Sequence, residues 1–333
     1  LVSHLDTVFP PDEEIRNDFH WREQGERIYG PGVVDIKGGT IMIYMIQSAL
    51  RAIFPKEFES VTWVVLLDAS EEVGGRDFGR ICVERLGDNA LACLVFEPGN
   101  FSGERPHLVV ARKGMAIYRI EVEGKAAHAG SAHAQGANAV LQMADVIERI
   151  CCMTDYGRDL TFNVGTVAGG TVINRVPHFA AASVEMRAFD EAVFAEGVAN
   201  ILALNGLSTV RSGDGAYDCR VKTEVMNTVS PWPQNQQTDY LFQVWRSTAD
   251  LLGYDTIAEE RAGLSDGNYF WHELPTLDGL GPAGGNAHCS ERSEDGSKDQ
   301  EYVLAASFVP KALLNTMAIL HLMDLDHEEE NSA

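Results

Sequence analysis

Cations are scarce in this chain: 26 lysines and arginines stand against 49 aspartates and glutamates in 333 residues, for a formal charge of −23. A surface of that sign repels polyanions, so nucleic acid is not an expected partner. Long apolar runs are missing as well. No stretch reaches the roughly 18 unbroken apolar residues of a membrane span. Cysteine is sparse and poorly spaced, six residues without C-x-x-C or finger-like pattern, which removes both a disulfide framework and a thiolate zinc site. Nucleotide fingerprints are lacking too, because the glycines of "GPGVVDIKGG" do not have either phosphate-loop spacing. No internal repeat or low-complexity run occurs. The chain opens on Leu1 already in a strand-like run, so an export signal cannot be read and localisation stays open. What is present is 45% apolar residues, enough for one or two sizeable cores.

Two grammars alternate along the chain. "VTWVVLLDAS" (61–70) and "LACLVFEPG" (91–99) are nearly continuous apolar runs that stop at an acidic residue, as buried parallel strands do. Between the opening strand and these, "GTIMIYMIQSALRAIF" (39–54) reads as a buried crossover helix, giving an α/β sheet with helices on both faces. From about 114 the pattern changes. "AIYRIEVE" and "AAASVEMRAF" alternate apolar and polar residues, the mark of an antiparallel sheet with one wet face. With helices at "GANAVLQMADVIERI" and about 191–204, and strands at "FNVGTVAGG" and "CRVKTEVM", the order becomes β-α-β-β-α-β, a ferredoxin-like α+β insert. Helical patterns return after 227, and the acidic tail "DLDHEEENSA" is expected to fray. The boundaries are therefore 1–112 and 227–333 for the α/β domain and 113–226 for the insert.

Chemistry-bearing side chains gather where these elements end. His4 and Asp6 in "SHLD" point the same way from an extended segment, so imidazole and carboxylate can touch. Asp35 lies in a glycine-rich turn, Glu71 and Glu72 in "SEEVGG", Glu97 in "FEPG" and His288 in "GGNAH". Singly, each has a plain structural use as a hydrogen-bonded pair, a solvated charge, a cap or a turn residue. Together they would converge at the carboxyl ends of an open α/β sheet, and two imidazoles with several carboxylates suit two divalent ions.

The ordered motifs "SHLDTV", "YGPGVVDIKGG", "SEEVGG", "VFEPG", "GKAAHAG", "GGTVINRVP", "LSDGN" and "GGNAH" resemble the dinuclear metallo-exopeptidases that include carboxypeptidase G, aminoacylase, acetylornithine deacetylase and succinyl-diaminopimelate desuccinylase. The wording is most similar to the glutamate carboxypeptidase branch. The resemblance implies that Asp35 bridges two ions, that Glu72 and His288 complete one and His4 and Glu97 the other, and that Glu71 is the general base. It further implies that Asp6 orients His4, that His128 on the insert supplies an oxyanion donor to a partner subunit, and that Arg187 and Asn174 bind the substrate carboxylate. A cis peptide between Asp35 and Ile36 is expected on the same ground. Lys113, Arg105 and Arg175 are expected to be solvated charges, His133 structural and Cys289 a bystander; the segment 290–302 reads as a surface loop.

The expected protein is thus a homodimeric hydrolase, with 113–226 as lid and dimerisation domain, that releases a C-terminal amino acid from a small peptide or an N-acyl amino acid. Zinc is the expected ion, with cobalt or manganese as substitutes. An N-acyl amino acid deacylase of the same fold, and an inactive peptide-binding or dimerising relative, are the competing readings. Family elements that precede the "HLD" strand have no counterpart here, so the N-terminal part of the catalytic domain is expected to be absent.

Overall fold

Continuity of apolar residues becomes parallel pairing at the centre of the larger of two units. The computed structural model describes residues 1–86, 90–102 and 105–330. Val2–His4 pairs in parallel with Leu66–Asp68 on one side and bridges Val95 on the other, while Cys93–Leu94 pairs in parallel with Thr276–Leu277. The strand Arg105–Arg112 follows through an antiparallel bridge from Val109 to Asp278. This unit comprises 1–111, 234–261 and 265–333.

Helices close its core. Gly38–Ile53, Gln236–Leu251 and Phe308–Glu330 bury Met42, Ile46, Leu50, Trp245 and Leu314 together with Phe96 of the sheet. The segment Ala305–Asp324, a short helical turn followed by most of the last helix, is long and apolar enough to cross a membrane, yet Ala318, Ile319, Leu322 and Met323 are buried in this core. A core helix passes the same compositional test. Glycine sets how closely helix and sheet approach: a Cβ on Gly39 would overlap the carbonyl of Phe96.

The second unit comprises 112–233 and the tripeptide Ala262–Leu264. Its four strands lie in the order Arg220–Val229, Gly114–Glu123, Phe179–Ala188, Thr161–Gly169, with every adjacent pair antiparallel. Alternation decides the faces. Ala116, Tyr118, Ile120 and Val122 are fully buried under the helices Ala139–Cys151 and Glu191–Leu202, whereas Arg119 and Glu123 face solvent. Each helix starts on a side-chain cap, Asn138 accepting from the N–H groups of Val140 and Leu141, and Asp190 from that of Val193.

Three expectations need correction. In the run 61–70 only Leu66–Asp68 is strand, paired on one side, and Val64, Val65 and Leu67 remain about two-fifths exposed. The crossover helix exposes Ile41 and Tyr44 instead of burying most sides. The acidic tail continues the last helix to Glu330, and 331–333 lie outside the described residues.

Candidate metal centre

His4 is the last residue of its strand and Glu97 follows Val95 and Phe96, so both leave the sheet at its carboxyl end. The His4 ring is 1% exposed and held from two sides. Nδ1 lies 3.1 Å from the backbone oxygen of Asp6 and 3.4 Å from its carboxylate. The Asp6 carboxylate is also turned toward the Glu72 backbone, its Oδ2 accepting from the Glu72 N–H at 3.1 Å. With Nδ1 donating to a carbonyl, Nε2 of a neutral ring would aim a lone pair at Asp35 Oδ1, 3.1 Å away, and Glu97 Oε1, 3.8 Å away. Only a proton or a metal ion makes that arrangement attractive.

Asp35 sits in the turn 33–37, entered through Gly32 at φ +65° and containing the expected cis Asp35–Ile36 peptide. Its two oxygens face different imidazoles. Oδ1 meets His4 Nε2 at 3.1 Å, and Oδ2 meets His288 Nε2 at 3.3 Å. His288, in a left-handed turn at φ +66°, also lies 3.3 Å from Glu72 Oε2. Glu71 and Glu72 open a single helical turn that Gly74, at φ +80°, ends. One oxygen of Glu72 is buried with no hydrogen-bond partner among the described residues.

Electrostatics reflect this crowding. Burial works against a charged His4, but the Asp35 hydrogen bond and the charges of Glu97, Glu71 and Asp35 outweigh it and hold the pKa at about 10. For His288 the hydrogen bonds to Asp35 and Glu72 dominate, and its pKa also rises to about 10. Burial would raise Asp35, yet the two histidines carry it well below the usual carboxylate range. Donor atoms of His4, Asp35 and Glu72 all lie within 4.8 Å of one another. Carboxylates crowded around two imidazoles, an oxygen of Glu72 buried without a hydrogen-bond partner among the described residues, and one carboxylate shared between both rings make a donor set that fits divalent metal.

Backbone clamps fix the turn after Glu97. Gly281 N–H donates to the Glu97 carbonyl at 2.9 Å, Arg261 Nη1 to that of Pro98 at 2.6 Å, and Gly99 N–H to Pro282 at 2.9 Å. Lys311, fully buried, lies against Gly99 and donates to the carbonyl of Gly279 at 2.8 Å. Two buried charges at the site were not singled out in the sequence. Glu301 accepts from the N–H groups of Val34 and Asp35, and burial pushes its carboxyl up to about 7. Asp266 is 2% exposed and its carboxyl is raised by burial and by the charges of Glu71 and Asp68. Their motifs, "DQEYV" and "LSDGN", carry no periodicity that marks a buried acid, and Glu301 falls inside the segment 290–302 that reads as a surface loop.

His128, Asn174 and Arg187 belong to the other unit. The loops of the first two meet there: Ala129 N–H donates to the Asn174 carbonyl at 3.0 Å and Val176 N–H to that of Ala127 at 2.9 Å. His128 Nδ1 accepts from the N–H groups of Gly130 and Ser131, both at 3.1 Å, which places the proton of a neutral ring on Nε2. Arg187 is engaged with Glu185 at 2.6 Å and with the Ala262 carbonyl at 3.0 Å. Arg105 pairs with Asp255 as a surface charge. Lys113 differs from expectation: it is 7% exposed, hydrogen-bonded to the Asp159 carbonyl and over the Phe189 ring.

A family model described as peptidase family M20/M25/M40 matches residues 1–314. The chain belongs to this family. Among curated M20 relatives, it is similar to carboxypeptidase G2 of Pseudomonas sp., 31% identical over 188 residues that cover 56% of this chain and 43% of that protein. It is also similar to acetylornithine deacetylase of Buchnera aphidicola, 27% identical over 192 residues covering 53% and 46%. The chain spans less than half the length of these two relatives. Solved M20-like folds include the aminopeptidase PepT of Bacillus cereus, with TM-score 0.70 and 20% identity over 96% of this chain and 79% of that one. A Staphylococcus aureus tripeptidase gives TM-score 0.67 and 17% identity over 97% and 79%.

Proposed function

We propose that this M20 chain hydrolyses an amide bond in a metal-dependent reaction that releases a C-terminal amino acid, in the manner of a glutamate carboxypeptidase. One observation carries the reading: Asp35 presents its two oxygens to two different imidazoles, with Glu72 beside one and Glu97 beside the other. That is the disposition of a carboxylate shared by two ions. Asp35, Glu72 and His288 would hold one, and Asp35, His4 and Glu97 the other. When bound, the ions supply a water of lowered pKa and polarise the scissile carbonyl.

Side chains of this protein do the rest. Glu71, directly before a ligand, takes the proton of the attacking water and returns it to the leaving nitrogen. Asp6 holds His4 in the tautomer whose Nε2 faces the ions. His128 donates its Nε2–H to the developing oxyanion in a second copy of the chain, and Arg187 with Asn174 receives the carboxylate of the substrate. The similarity to acetylornithine deacetylase supports a second reading, an N-acyl amino acid deacylase with the same ligands.

Glu71→Gln tests the assignment: on N-acyl glutamates and a peptide panel, turnover should fall at least about 100-fold while metal content measured by mass spectrometry stays at two ions. Undiminished turnover, or loss of metal along with turnover, removes Glu71 from its role. Release of amino acid from acetylated but not peptidyl substrates would favour the deacylase.

A further inference from the structure

Glu301 is a carboxylate with no exposure at all, placed at the entry of the strand Tyr302–Leu304. That strand is pinned between Arg27–Tyr29 and Gly284–Gly285, so the side chain starts from a rigid backbone. Its Oε1 accepts two neighbouring N–H groups, from Val34 at 2.9 Å and Asp35 at 3.1 Å. Its own N–H donates at 2.8 Å to the carbonyl of Cys289, the residue after His288. Oε2 is buried with no hydrogen-bond partner among the described residues. One residue thus touches the backbone of two segments that carry candidate ligands.

We infer that Glu301 is a positioning residue: by gripping the Val34 and Asp35 amides it sets the direction in which the Asp35 carboxylate leaves the turn 33–37, and by its own amide it anchors the loop of His288. The inference rests on the reading of Asp35 and His288 as metal ligands. What matters is the reach of Oε1. A turn with two adjacent buried N–H groups and no acceptor would rotate to find one, and a shared ligand tolerates little rotation before one ion is lost.

Two variants separate reach from charge. Glu301→Gln keeps an oxygen acceptor at full length and drops the charge; Glu301→Asp keeps the charge and withdraws the oxygen by one methylene. In zinc titration calorimetry of the chelator-treated full chain, Glu301→Asp should weaken at least one of two binding steps by about tenfold or more. Its cobalt-substituted form should show a changed visible absorption band. Glu301→Gln should match the wild type in both. Equal behaviour of Glu301→Asp and wild type, or a loss in Glu301→Gln as large as in Glu301→Asp, overturns the inference. Hydrogen exchange at the Val34 and Asp35 amides gives a metal-independent arm: slow in wild type and Glu301→Gln, fast in Glu301→Asp. Wild type that binds no ion while this contrast holds refutes the metal reading alone; fast exchange in wild type refutes the role of Glu301.

Discussion

Lys311 is an ammonium group without exposed surface, whose hydrogen bonds go to the carbonyls of Gly279 and His107. Burial, helped by the charge of Arg261, lowers its pKa to about 7. The unfolded chain keeps this proton to about pH 10.5, so between pH 7 and 10.5 the unfolded state binds more protons than the native one. Stability attributable to Lys311 must therefore rise with pH across that window, by up to about 1.4 kcal/mol per pH unit. Urea unfolding of wild type and Lys311→Met at pH 7 and pH 9.5 should show the difference moving toward the wild type; an unchanged difference rules the buried amine out as its source. At this scale the sequence was informative where chemistry is unusual for its local setting. His4, Asp35, Glu72, Glu97 and His288 stood out because histidine and acid interrupt apolar or glycine-rich runs, and they do meet. Lys311 and Glu301 did not, since burial of a lone charge is decided by neighbours hundreds of positions away.

Gly39 shows what an element can demand of one residue. It sits in the first turn of Gly38–Ile53, where alanine is intrinsically favoured by about 1 kcal/mol, but its methyl would collide with the backbone of Phe96, one residue before Glu97. Overpacking against backbone costs about 1–3 kcal/mol and wins. Gly39→Ala should lower the urea midpoint and weaken metal binding through Glu97; a more stable variant would mean that helix and strand are not pressed together. The reading of elements was best where one face is wet. Alternation marked the two inner strands of the insert, Gly114–Glu123 and Phe179–Ala188, because a one-residue slip would expose Tyr118 and Ile120. It was poorest at 61–70, where apolar continuity suggested a strand flanked on both sides and pairing occurs on one.

For the whole molecule, the strand Thr161–Gly169 lies at the edge of its sheet with Val167 60% exposed, which supports a second copy as its neighbour. Sedimentation should give a dimer for the wild type and a monomer for Val167→Asp, with metal retained and turnover lost if His128 serves the partner; a fully active monomeric wild type would end that proposal. The change of pattern near 114 led to an insert expected over 113–226, and nothing in the sequence pointed to the three residues Ala262–Leu264 that belong to the second unit. No composition shift marks them. Yet the guanidinium of Arg112, only 4% exposed, donates to the carbonyls of Gly263 and Leu264 at 3.1 and 2.8 Å. Transplanting 112–233 alone into another chain would carry that arginine away from its acceptors and leave a buried guanidinium without them, so a graft that keeps the fold intact has to bring the tripeptide along.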